Sequence, residues 1–231
     1  MDTASENTLP LTRIQRLIGK LMLQSKREGP CSYLESRVDM TELANMRKSY
    51  YRATRVRVST NDFFFCAIAG AMKKFPLMAG QFDKNCENIQ IPEHVGIGFA
   101  VTAPQGLVVP VIKNVLEKSL PQIAAESSAL IKKARANKLD LDDFDGANIT
   151  FSSLGMYGIS SFFAIKPPGT AGIISIGKFE DTVVPVDGEA VVRKTMSVGL
   201  AVDRRIVSDL YAAKFLGCVR SQLENPETLT T

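Results

Sequence analysis

The 231-residue sequence has no tryptophan, a single histidine, His94, and no closely spaced cysteines. The histidine shortage excludes most, because His-based zinc sites and serine–histidine–aspartate machinery need that ring at a defined place. His94 follows the segment NIQI and stands beside Glu93, with no nucleophile or carboxylate at a recognisable spacing, so it reads as a structural or solvent-exposed residue. Cys31, Cys66, Cys86 and Cys218 form no C-x-x-C, which argues against a zinc knot, a redox pair or a disulfide framework. They read as buried or idle thiols, and no metal is expected. Long apolar runs are missing too. Phe63 to Met72 ends at Lys73-Lys74, well short of the ~20 residues of a membrane span, so no membrane partner is expected. Gly96 and Gly98 make no G-x-G-x-x-G, and no glycine-rich turn opens a helix to hold a phosphate. The opening MDTASENTLP lacks the layout of a secretory signal, which points to a cytoplasmic location or, in a eukaryote, the mitochondrial matrix.

Hydrophobic residues make up 45% and charged residues 23%, the composition of a folded domain. The net charge of +4 reads as spread along the chain and too weak for a nucleic-acid partner. Lys132-Lys133-Ala134-Arg135 reads as a solvated helix face.

Residues 1–9 read as a flexible lead and 10–231 as one domain. Ile14, Leu17, Ile18, Leu21 and Met22 predict a helix behind a Thr12 cap, stopped by Gly29-Pro30. A strand over Tyr33–Val38 precedes a short helix capped by Thr41, and Asn61-Asp62 caps an apolar core helix over Phe63–Met72. VGIGFAV and GLVVPVI predict a hairpin about Pro104-Gln105-Gly106, with Pro110 marking an edge or bulge. Pro121 suits the first residue of a helix running to about Asn137, and Leu139 to Asp145 is an acidic connector. Strands are expected at Ala147–Ser153, Ala171–Phe179, Thr182–Pro185, Ala190–Lys194 and Thr195–Val202, with a turn at Asp187-Gly188 and a last helix over Asp209–Leu223. The pattern is α/β with a mixed sheet.

The segment GLAVDRRIVSDLYAAKFL resembles the end of the catalytic core of the dihydrolipoamide acyltransferases of 2-oxo acid dehydrogenase complexes, where an apolar strand runs into D-H-R-x-x-D-G and a helix. PLTRIQRLIGKLMLQSK, GPCSYLESRVDMTELANMRK, VSTNDFFFCAIAGAMKKFP, GLVVPVIKNV, KARANKLDLDDFDGANITFSSLGMYG and KPPGTAGIISIGK extend the resemblance over nearly the whole chain. It implies a chloramphenicol-acetyltransferase-like two-layer sandwich with a mixed sheet, an obligate homotrimer with its active site between subunits, and coenzyme A or acyl-CoA as ligand. In active members the motif histidine takes the proton of the dihydrolipoyl thiol, and a hydroxyl from the segment matching TFSSLG steadies the oxyanion. Ser152 matches that hydroxyl, with Ser153 next to it. Both are the candidate coenzyme contacts.

The base is gone. Asp203 is kept, but Arg204 stands where the family has His, Ser208 where it has Asp and Asp209 where it has Gly. With a pKa above ~12, an arginine cannot accept a proton at neutral pH. Sliding the register by one brings Arg205 and Asp209 to the family's spacing and supplies only another arginine. Cys31 occupies a second position where His is common, Lys166 one where Asn is frequent, and Thr102 one where an acid is usual. Arg204 is expected to hold an anion or to tie subunits together through a neighbour's Asp203 or Asp209. The sequence holds no lipoyl-attachment lysine and no peripheral-subunit-binding module.

Three functions follow from this resemblance. The first is a noncatalytic scaffold that trimerises and joins a larger hollow cage through C-terminal Leu216, Val219, Leu223 and Leu229, alone or with other subunits of a 2-oxo acid dehydrogenase complex. The second is an acyltransferase working without a histidine base, or with Asp209, Cys31 or His94 as substitute. The third is a CoA-thioester binding module.

Overall fold

The computed structural model describes residues 8–230 except 84 and 86; most of the expected lead, and Cys86, lie outside the described residues. Thr12 and Gln15 form a reciprocal capping box that starts α1 (Arg13–Glu28). The chain then enters β1 (Cys31–Asp39) and α2 (Thr41–Thr54), which stops at Arg55 in the left-handed region, φ 60°. Met40, not Thr41, sits at the cap position of α2; the Thr41 hydroxyl instead accepts from the Lys194 amide. Likewise Ser59 caps α3 (Thr60–Lys74), while Asp62 is the acid that closes its capping box. In α4 (Leu120–Arg135), Ser119 is the cap and Pro121 the second residue.

The strands are β2 (Gln81–Phe82), β3 (Ile89–Gln90), β4 (Gly96–Phe99), β5 (Val101–Ala103), β6 (Gly106–Val108), β7 (Val111–Ile112), β8 (Ala147–Ser153), β9 (Gly172–Ile176), β10 (Glu180–Val186) and β11 (Glu189–Asp203), before the final helix α5 (Asp209–Glu224). The main sheet runs β1-β11-β9-β8-β4-β7, with β10 pairing only the outer half of β11. It is mixed: β4, β8 and β9 are parallel, and the rest are antiparallel. The expected hairpin is present but split, β4 pairing β7 in the main sheet and β5 pairing β6 outside it. β11 is one continuous strand rather than two breaking at Lys194.

Helices form the second layer. Phe65 of α3 packs against Phe99 and Phe151 at ring separations of 5.3 and 5.1 Å, and Phe64 meets Phe151 at 5.6 Å. These rings, with Phe215 of α5, are almost fully buried and form the centre of the core. Leu216, Val219 and Leu223 of α5, and Leu229 in the closing turn Pro226–Leu229, are buried in the same core. This corrects the expectation that they join a cage: their side chains are already occupied within the chain. By contrast α1 buries only Ser25, and Ile14, Leu17 and Leu21 of its apolar stripe stay exposed. No described helix is long and apolar enough to cross a membrane.

Candidate functional site

Strand alternation decides which way the β8 side chains point. Phe151 goes into the helical layer, so Ser152 faces the other side, where it is half-buried. Its register neighbour on β9 is Ser175, whose hydroxyl donates to the Phe162 carbonyl at 2.5 Å, and Gly199 of β11 is next in the row. A Cβ on Gly199 would come within 2.6 Å of the Ser175 Oγ, so glycine is what admits this packing. No hydrogen-bond partner holds Ser152 or Ser153 among the described residues. The loop beyond them is pressed tightly on the sheet: a Cβ at Gly177 would lie 1.8 Å from the Ser160 carbonyl oxygen.

The other candidate residues follow the far end of β11. Asp203 is buried and accepts from Arg205 through both oxygens, at 2.9 and 2.7 Å, while the buried Lys166 ammonium lies 3.2 Å away. Burial disfavours the Asp203 carboxylate, but the Arg205 bonds and Lys166 outweigh it and hold the carboxyl below its usual 3.8. Arg205 also lies over the Phe82 ring at 4.9 Å. The Lys166 loop is anchored to α1 by the buried Ser25 hydroxyl, which donates to the Lys166 carbonyl. Cys31 pairs with Asp203 across β1 and β11; burial raises its thiol pKa, Asp203 adds to that rise, and nearby Lys166 opposes it. Its thiol faces the Gly29 carbonyl at 3.4 Å.

Arg204 is committed inside its own loop. Its Nη1 donates to the Val207 carbonyl at 3.0 Å and its Nε lies 3.3 Å from the Asp209 carboxylate. Within the chain, the acid that meets Arg204 is Asp209 of the same turn. Ser208 caps α5, its hydroxyl accepting from the Tyr211 amide. His94 is exposed and Thr102 lies on the exposed side of the β5–β6 hairpin. His94 borders an apolar cleft of about 560 Å³ under α1, shared with Ile18, Met22 and Pro167.

Ser152 and Arg204 do not meet within one chain. Ser152 is level with Gly199 through Ser175, so Arg204 lies five residues further along β11 and its end, two strands across. At ~3.3 Å per residue and ~4.8 Å per strand, that is about 16 Å along the sheet and about 10 Å across it.

A feature missed from the sequence is a cleft of about 710 Å³ between α2, α3 and α4, lined by Arg47, Lys48, Arg57, Lys132 and Arg135 around Tyr51. None of the five cations has an ion-pair partner among the described residues. The only carboxylate in the lining, Asp62, is buried and accepts from Ser59 and from the Ser127 hydroxyl at 2.6 Å. The charge is therefore gathered here rather than evenly spread, and the Lys132–Arg135 face is one wall of the cleft. Such a volume suits a nucleotide-sized anion. Among the described residues, no cluster of His, Cys, Asp and Glu could hold a metal.

The model of a family described as 2-oxoacid dehydrogenases acyltransferase (catalytic domain) matches residues 3–231. The dihydrolipoyllysine-residue acetyltransferase component of the pyruvate dehydrogenase complex of Rickettsia felis is 32% identical over 222 residues, 94% of this chain and 53% of that protein. The mitochondrial pyruvate dehydrogenase protein X component of Mus musculus is 31% identical, over 96% of this chain and 44% of that protein. The chain thus spans about half the length of the curated relatives it matches. A structure of the Azotobacter vinelandii dihydrolipoamide acetyltransferase superposes with a TM-score of 0.92 at 29% identity, covering 98% of this chain and 95% of that one. That work concerned a serine, a histidine and an asparagine in the catalytic mechanism; the serine precedes the histidine by 52 residues and the asparagine follows it by four. Ser152, Arg204 and Ser208 have the same spacing. The cubic core of a pyruvate dehydrogenase multienzyme complex matches equally well, TM-score 0.92 at 29% identity over 98% and 95% of the two chains. A chloramphenicol acetyltransferase shares the fold at 13% identity, with a TM-score of 0.55 over 88% of this chain and 94% of that one.

Proposed function

This chain belongs to the 2-oxoacid dehydrogenase acyltransferase catalytic-domain family, and from that premise we propose that it serves as a self-associating core subunit with an inoperative general-base position. The observation that carries this reading is the Arg204 guanidinium, which has no lone pair to receive a proton and is bonded to Val207 and Asp209. Loss of a positioned base typically costs ~10²–10⁴ in rate. The role left to the chain is architectural, in a homotrimer, in a larger cage, or beside other subunits of such a complex. Exposed apolar side chains on α1 and on the loop after β8, among them Leu17, Met156 and Tyr157, support an unfilled contact with another copy. The relation to a cubic core supports the cage, whose contacts must then come from residues other than Leu216, Val219, Leu223 and Leu229.

A second reading, binding of coenzyme A or its thioesters, is favoured by the cationic cleft. Arg47, Lys48, Arg57, Lys132 and Arg135 offer donors to phosphates, and Tyr51 offers a ring face to a base. The chain's place in the cytoplasm or the mitochondrial matrix belongs to the same proposal.

The test is the absolute mass in solution together with acetyl transfer from acetyl-CoA to dihydrolipoamide. A trimer or a multiple of it, with transfer no faster than the protein-free control, is the expected result. A monodisperse monomer removes the scaffold, and transfer that disappears in Ser152→Ala restores the enzyme reading. Calorimetry with coenzyme A tests the cleft, and an absence of heat at high concentration rejects it.

A further inference from the structure

Two stripes run side by side along α1. Arg13, Arg16 and Lys20 recur at helical spacing, and Ile14, Leu17 and Leu21 repeat that spacing one residue later, so a cationic row borders an apolar one. All six side chains are exposed. A groove of about 500 Å³ lies between the rows, with Ile14 and Leu17 on one side and the three cations on the other. None of these cations has an ion-pair partner among the described residues, and the only acid of the helix is its last residue, Glu28.

Beside α1 stands a surface of the opposite sign. Phe144 shares the apolar cleft of about 560 Å³ with Leu21 and Met22, and it closes the turn Asp142–Phe144. Around this turn Asp140, Asp142, Asp143 and Asp145 face only Lys113 and Lys133 as ion-pair partners. Asp145 forms no ion pair among the described residues. Leu141 tops the turn at 90% exposure, with an acid on either side of it in the chain.

We propose that these two neighbouring surfaces form one self-complementary contact, through which a second copy of this chain docks about a two-fold axis. A surface with a cationic end, an apolar middle and an acidic end meets its own complement when turned by 180°. Leu141 of each copy enters the α1 groove of the other, against Ile14 and Leu17, while Asp142 and Asp145 come over Arg16 and Lys20. Charge fixes the register, and the apolar stripe supplies the area to be covered. The inference rests on the self-association proposed above and names the surface that carries it. A contact of this kind gives an assembly with an even number of copies.

The experiment measures absolute mass by light scattering and native mass spectrometry, over a range of concentrations, for the wild type and three variants. Leu141→Asp is expected to raise the dissociation constant of the contact at least ~10-fold. One charge variant carries Arg13→Glu, Arg16→Glu and Lys20→Glu; the other carries Asp142→Lys and Asp145→Lys. Each alone is expected to lose the contact, and the two mixed are expected to regain it, because each then offers the sign the other lacks. Far-UV circular dichroism verifies that the variants are folded; should the triple replacement not fold, Arg16→Glu mixed with Asp145→Lys takes its place. Masses that ignore all three variants, a mixture that stays apart, or a wild type with an odd number of copies such as a bare trimer overturn the inference while leaving self-association intact. A wild type that is a single chain overturns both. Co-sedimentation with phosphatidylserine vesicles that is lost in the Arg13, Arg16 and Lys20 variant, at an unchanged mass, assigns α1 to a lipid surface and equally overturns it.

Discussion

The guanidinium Nε of Arg204 lies 3.3 Å from Oδ1 of Asp209, so two residues that depart from the family motif satisfy one another. Both are substantially exposed, which keeps the pair's own contribution within ~1 kcal/mol. Arg204→Gln is therefore expected to shift the urea midpoint only slightly, and a loss above ~2 kcal/mol would show that the loop depends on the pair.

Asp203 carries far more weight. Asp203→Ala strands the buried Lys166 ammonium and removes both Arg205 bonds, with an expected cost of ~3–5 kcal/mol. Lys166→Met leaves the Arg205–Asp203 fork in place and is expected to cost less. Chemical denaturation of both variants checks the order.

The same carboxyl sets an acid limit. Its pKa is lowered on folding, so its contribution is fully present above the unfolded value near 3.8 and disappears as pH falls through the lower folded value. Asp203→Asn is expected to flatten this part of the stability profile below about pH 4, measured by thermal melts across pH.

Burial pushes the Cys66 thiol up to about 12. At pH 8 only about one part in 10⁴ is thiolate, so an alkylating reagent is expected to leave Cys66 untouched until the protein unfolds. Peptide mapping after native and denatured labelling distinguishes the two states.

Leu229→Ala is expected to lower stability by ~2–5 kcal/mol while leaving the assembled mass unchanged at low temperature, because Leu229 fills the chain's own core. Light scattering beside denaturation separates these effects; lost assembly at retained stability would return the residue to an interface.

Local physics made most elements legible. The cap at Thr12, the apolar α3 and the Asp187-Gly188 turn are short-range signals, and each is present in the fold. β11 misled because its outer half, paired with β10, alternates in burial, whereas its inner half, between β1 and β9, is almost wholly buried; one strand thus carries two patterns. Caps slipped by a few residues because Ser59 and Asp62 both satisfy cap chemistry, as donor and acceptor in one box. The family motif made Ser152 and Arg204 visible, but the Lys166–Asp203 bond joins residues 37 positions apart and the cationic cleft draws on three separate segments. Such groupings have no period in the sequence.

The pairing of β1 with β11, Cys31 opposite Asp203 through Asp39 opposite Thr195, also sets a timetable. During synthesis the first strand emerges long before its only sheet neighbour exists. At ~5–20 residues per second the interval is on the order of ten seconds or more. Through that time β1 is an open edge on a nascent chain, and copies made side by side on one message have the opportunity to pair strands with each other before either pairs with itself. The half-exposed, charged pattern of β1, with Glu35 and Arg37 interrupting its apolar positions, is the feature that limits such pairing.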